Sequence, residues 1–330
     1  MNSLVTHQAD NCRRQTPGSH DSKLRLQLFP FHRLGIVLRP WLAALMLLAM
    51  AIPARAESRI EKDLDLQPGG RFTLESEVGS VTITGTSRPG AHVVVTSERS
   101  DLNEELEFTF SSGGGSASVT ARRKHPSEWG HGISAHFEIE VPAETRTEIR
   151  TGGGSITLSG LKGDSNIKTS GGSIDVTGLV GRLEAHTSGG SIHLREVTGE
   201  AHVETSGGSI QSEAIDGSLR AHTSGGGIRI ERVSGYVEAT TSGGPIHATY
   251  SPGNHRGGIL ETSGGSIDVA IDPAANLNLE ASTSGGSVSS DLPVRTVGTI
   301  SHSHLEGAIG SGGEELRLHT SGGSIHIHAL

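Results

Sequence analysis

The chain has 330 residues, of which 47 are glycine and only 3% are aromatic, so it cannot fill a thick core with large rings as an average globular domain does. With 12 prolines and no three-residue glycine period it is not collagen-like, and its apolar residues are placed too regularly for a disordered chain. The formal net charge of −9 deepens to −14 beyond residue 56, where 20 basic side chains face 34 acidic ones, and such a surface repels nucleic acid phosphate.

Residues 1–32 carry neither helical nor strand periodicity. They are long for the leader of the segment that follows, and a translation start near Val37 would remove them. From Arg33 to Ala56 the chain has the three parts of a secretory signal: basic Arg33 and Arg39, an apolar run from Trp41 to Ile52, and the small-x-small site Ala54-Arg55-Ala56. Cleavage there would begin the mature chain at Glu57. The apolar run falls short of the roughly 20 residues a membrane span needs, so the sequence predicts an exported product with no membrane span in the mature chain, in the periplasm or at the cell surface. Cys12, the only cysteine, precedes the cleavage site, which leaves the mature chain without a disulfide or a lipid-bearing cysteine. The sequence thus divides into 1–56, removed, then 57–150 and 151–330.

Within 57–150, strand-like alternation covers 71–76, 80–84, 92–96, 105–110, 117–121 and 136–141, with Pro68-Gly69-Gly70 as a turn before the first. Phe72, Phe108, Phe110 and Phe137 join Trp129 here, consistent with a small conventional core. A stack of coils exposes an open edge at its end, and this segment is expected to cover it.

From residue 151 a phrase close to Thr-Ser-Gly-Gly-Ser-Ile recurs. Its threonines stand at Thr151, Thr169, Thr187, Thr205, Thr223 and Thr241, 18 apart, then at Thr262, Thr283 and Thr320. A short fixed period marks one supersecondary unit that buries its apolar face only by stacking on its neighbours. Two alternating runs fill each unit, such as 183–187 and 192–195, separated by Ser188-Gly189-Gly190-Ser191. The inward column after the turn reads Ile156, Ile174, Ile192, Ile210, Ile228, Ile246, Ile267, Val288, Ile325. Glycines at 163, 181, 199, 217 and 235 mark the second reversal, where positive φ is expected. Pro245 in place of a serine implies that the amide there is not needed by the ladder. Parallel strands joined by winding give an all-β, right-handed parallel β-solenoid of about ten coils.

The strand ending in Phe137-Glu-Ile-Glu-Val141-Pro142, the repeats from Thr151 and the closing Gly307-Ala-Ile-Gly-Ser-Gly-Gly313 with 316–325 resemble the bacterial cell-envelope family grouped as "putative adhesins", a domain of unknown function. The resemblance covers about 57–330 and implies an exported β-solenoid, with no catalytic residues to carry over.

Histidine offers the first candidate chemistry. His302 and His304 would share one strand face, as would His326 and His328, with His319 near in sequence, and clustered imidazoles suit zinc, copper or nickel. The outward columns, however, mix residue types, Lys168, His186, Glu204 and His222 down one and Asp175, His193, Gln211, Arg229 and His247 down another, so a solvated polar face is expected, without metal or cofactor. A calcium nonapeptide solenoid is ruled out by its own motif, since the acid after the glycine pair recurs only at Asp175 and Asp268. Serines 170, 188, 206, 224, 242 and 263 are expected to satisfy local backbone groups. The lengthened intervals add residues around Asn254, His255 and Arg256 and around Asn276, on the edge where repeat proteins place binding loops. No nucleophile–base–acid set, phosphate loop or paired carboxylates can be placed. The leading expectation is a non-catalytic interaction or adhesion scaffold for an envelope protein or polysaccharide; a polysaccharide-processing enzyme and a metal-binding envelope protein are the alternatives.

Overall fold

Extended backbone turns successive side chains to opposite faces, and each strand of the repeats accordingly buries every second residue. In Leu183–Thr187 these are Leu183, Ala185 and Thr187, and in Ile192–Thr198 they are Ile192, Leu194 and Val197. The computed structural model describes residues 58–98, 102–125, 135–296 and 301–330. The expected signal segment and cleavage site, Cys12 and Trp129 lie outside the described residues. All described residues belong to one compact unit spanning 54–330.

Two sheets form, one 13-stranded and one 14-stranded, and each coil contributes one strand to each. Coils pair in parallel: Ile174 lies beside Ile192 and Ile192 beside Ile210 in the first sheet, while Leu183 lies beside Ala201 in the second, and the register shifts by one residue between Glu231 and Val233 where Ile228–Val233 meets Ile246–Tyr250. The parallel β-solenoid expected from the phrase is therefore the observed fold, with eleven coils among the described residues. Its core is the thin layer between the sheets. The isoleucine column from Ile156 to Ile267 is fully buried, as is Ile325, whereas Val288 in the terminal coil is only partly covered.

Near the end of five successive first-sheet strands, from Ile156–Ser159 to Ile228–Val233, the chain bends through a left-handed residue. This is Gly160 or Gly178 in two coils, but Glu196, Ala214 and Arg232, at φ 54, 57 and 58, in the next three. The bend aims one more apolar residue inward, giving the row Leu161, Leu179, Val197, Ile215 and Val233. Of the glycines expected at positive φ in the second reversal, Gly181, Gly199 and Gly217 adopt it, at 145, 128 and 147. Gly163 and Gly235 do not; there a Cβ would press on the backbone of Thr145 and Gly217 respectively, so close approach rather than φ demands glycine.

Both ends are interleaved. The strands Arg71–Ser76 and Ser80–Thr86 form a coil that lies between Arg146–Thr151 with Ile156–Ser159 on one side and Ser116–Arg123 with His136–Pro142 on the other. The last coil of the chain, Glu314–Thr320 with Ile325–Ala329, likewise slots between 258–271 and 277–290, so Ile325 sits between Ile267 and Val288 instead of after Val288. The two sheets thus continue through residue 150. Antiparallel strands cover the ends: Ser58–Leu64 and Ala91–Ser97 in the first sheet, Leu106–Gly113 in the second, and His304–Ile309 with Val294–Thr296 at the far end of the second. The stretch expected as strand from 105 begins instead with a helical turn, Leu102–Glu105, and the strand follows it. Among the described residues no helix is long and apolar enough to cross a membrane.

Candidate functional site

The turn phrase is consumed by structure. Thr205 is buried, and its hydroxyl donates to the Gly190 carbonyl of the preceding coil at 2.7 Å while accepting the Gly208 amide of its own turn at 3.3 Å. Thr187, Thr223 and Thr241 repeat both bonds. The second glycine of each pair is required by the same close stacking, since a Cβ on Gly208 would overlap the Gly190 carbonyl. The serine after the pair takes the next amide: Ser191 N–H donates to Ser173 Oγ at 3.3 Å and Ser209 N–H to Ser191 Oγ at 3.2 Å. Where Gly227 supplies no hydroxyl, the next coil carries Pro245, which has no N–H to satisfy. The earlier serine column, 170 to 263, does not serve the backbone as expected; its side chains are exposed and make no hydrogen bond among the described residues.

The added loops turn inward as much as outward. Asn254 is buried, its Nδ2 donating to the carbonyls of Val233 at 2.8 Å and Gly235 at 3.0 Å, and its Oδ1 accepting the Arg256 amide at 2.8 Å. It plugs the lengthened turn and is closed to a partner. His255 and Arg256 are exposed, and Asn276 accepts the Ser311 amide at 2.8 Å. Asp272 ties the loops together, accepting the Ala274 and Gly253 amides, each at 2.8 Å, and those two donors hold its carboxyl below the usual range.

The five candidate histidines do not converge. His319 leaves the second sheet beside Ser282, His304 approaches Glu306 at 3.8 Å, and His302 is exposed in a turn. His326 and His328 do come together on the first sheet, rings stacked 5.4 Å apart, with Asp291 3.5 Å from the former and Asp268 3.7 Å from the latter. Among the described residues no group of three or more His, Cys, Asp or Glu side chains is arranged to hold a metal ion.

A polar groove along the second sheet went unread in the sequence. Its wall is a column one residue before each strand, Asp164, Arg182, Glu200, Ser218 and Tyr236, 18 apart, whose carbonyls bond successive coils. The facing wall is the first outward column, including Glu148, Asn166, Glu184, His202 and Arg220. Two depressions of about 340 and 330 Å³ lie in line along this groove, one lined by residues from Arg182 to Tyr236 and the other by Arg71 and residues from Arg146 to Glu184, with Arg182 and Glu184 lining both. Polar groups along it pair from rung to rung: Arg182 with Glu200 at 2.8 Å and Arg220 with Glu238 at 2.9 Å as ion pairs, and Asn166 Nδ2 donating to Glu184 at 2.6 Å. Tyr236 closes one end, its phenol raised by partial burial and then by Glu238.

Fold and groove define a repeat protein on a two-sheet parallel β-solenoid, with one coil for each of the nine phrases and two more coils before them. The chain belongs to the Toastrack DUF4097 family, which matches residues 70–328 and so spans the irregular coils as well as the regular ones. Among solved structures it is similar to a "putative adhesin" from Bacteroides fragilis, at 13% identity and TM-score 0.41, covering 82% of this chain and 97% of that one. A "putative cell adhesion protein" from Clostridium sporogenes is 9% identical at TM-score 0.24, covering 83% and 100% respectively. One from Parabacteroides distasonis, also named a "putative adhesin", is 10% identical at TM-score 0.32, covering 82% and 96%. No curated protein matches the chain.

Proposed function

We propose that the chain is an exported, non-catalytic scaffold of the cell envelope that holds another macromolecule against the outward columns of its sheets. The observation that carries this reading is the axial groove, where each coil adds one pair of facing polar residues to a surface that lengthens with the repeat. Such a surface suits an elongated partner, because affinity accumulates over many weak, regularly spaced contacts. The signal-like segment before Glu57 supports placement in the periplasm or at the surface. Immobilised chain incubated with envelope extract should retain a protein or polysaccharide, and incubation with a polysaccharide panel should release no product. An isolated chain that retains nothing would remove the scaffold reading, and turnover of any polysaccharide would replace it with an enzyme.

A further inference from the structure

We infer that the second-sheet groove binds an uncharged, linear, β-linked polysaccharide lying along the stacking axis, an assignment that rests on the scaffold reading and names its site and ligand class. Charge balance sets the first condition. Arg71, Arg146, Arg182 and Arg220 line the groove against Glu148, Asp164, Glu184 and Glu200, so a polymer of either sign would meet as many repelling as attracting groups. Guanidinium and carboxylate side by side offer paired donors and acceptors, the pattern that the vicinal hydroxyls of a neutral sugar complete.

Spacing supplies the second condition. Lining residues repeat once per rung, about every 4.8 Å, so two rungs span nearly the two-ring repeat of an extended β-1,4-linked chain, whose successive rings present alternate faces. An extended peptide repeats its side chains on one face only about every 6.6 Å and would fall out of step within a few coils. The groove also offers a peptide no strand edge, since backbone groups there already bond the next coil, as in Leu183 N–H to the Glu200 carbonyl at 2.8 Å and Ala201 N–H to the Ser218 carbonyl at 3.0 Å. An extended chain, such as a β-1,4-linked one, can follow successive rungs, whereas a coiled chain would leave them.

The third condition is a ring platform. Small Ser218 leaves a gap between Glu200 and Tyr236, with buried Leu183 and Ala201 at its floor, so a sugar ring entering there meets the Tyr236 ring.

Calorimetric titration of the full chain with cellobiose and cellohexaose tests the proposal. Binding should tighten by roughly tenfold or more from the disaccharide to the hexasaccharide and weaken roughly tenfold in Tyr236→Ala. Ser218→Tyr, which fills the gap, should abolish it, and Arg229→Ala on the first sheet should leave it unchanged. Absence of binding to either sugar, equal affinity in both groove variants, or tighter binding of a β-linked hexamannuronate would overturn the proposal. An envelope partner retained equally by Tyr236→Ala and Ser218→Tyr would sink the groove assignment while leaving the scaffold reading in place.

Discussion

From Thr187 onward the threonine of each phrase both donates to a carbonyl and accepts an amide in a buried site, a pair of roles that valine cannot fill. Thr205→Val keeps the volume but leaves the Gly190 carbonyl and Gly208 amide without their partner, and is expected to cost about 1–3 kcal/mol in denaturant unfolding. Other residues work against the fold. Ser212 replaces an aliphatic residue in a buried row between Leu194 and Ile230, and its hydroxyl finds no partner. Ser212→Val should therefore raise the unfolding free energy by about 1–3 kcal/mol, and a lower denaturant midpoint would contradict this account. Ala214 holds φ at 57, a region that costs an L-residue roughly 1–2 kcal/mol, so Ala214→Gly should stabilise by about 1 kcal/mol. That strained column was hidden in the sequence because Glu196, Ala214 and Arg232 bear no mark of it. Only alignment with Gly160 and Gly178 would have exposed it.

Coils and loops were legible to different depths. Period-two alternation and the glycine pairs located strands and first turns because every unit states them again, and the buried isoleucine row followed. Truncating that row at Ile210→Ala should cost about 2–5 kcal/mol, measured by thermal or denaturant unfolding. The groove was missed for a physical reason: its wall lies one residue outside the alternating run, in the turn, where no hydrophobic period points to it. Asn254 was misjudged because length variation signals a surface loop but does not say which side chain fills the bend. The Asp272 bridge between the loops carries a pH dependence of fixed sign. Its folded carboxyl is more acidic than the unfolded one, so the bridge contributes fully above the unfolded value and is lost as pH falls through the folded value. Amide proton shifts of Gly253 and Ala274 should titrate together with a midpoint below that of an ordinary aspartate. Separate midpoints would mean the carboxylate does not join the loops.

At the scale of the molecule, the phrase announces coils but not their order, because near-identical coils stack equally well on any neighbour. Connection lengths decide instead: the interval from Thr283 to Thr320 reads as one long beat, yet it is the span needed to double back past the antiparallel cover and insert a coil. Deleting residues 314–330 should consequently damage more than an edge. Hydrogen exchange is expected to quicken in Ile267–Ile271 and across 277–290, and unchanged protection there would mean that the outer coil had closed the gap. The same threading imposes a timetable. Because a chain is made from its amino end, the coil at 277–290 must wait with a bare strand edge until 314–329 arrives, and the coils on either side are locked together only then. The coil at 314–329 is thus the keystone of the C-terminal part of the stack, and any delay in its delivery prolongs the interval in which that edge can capture the wrong strand.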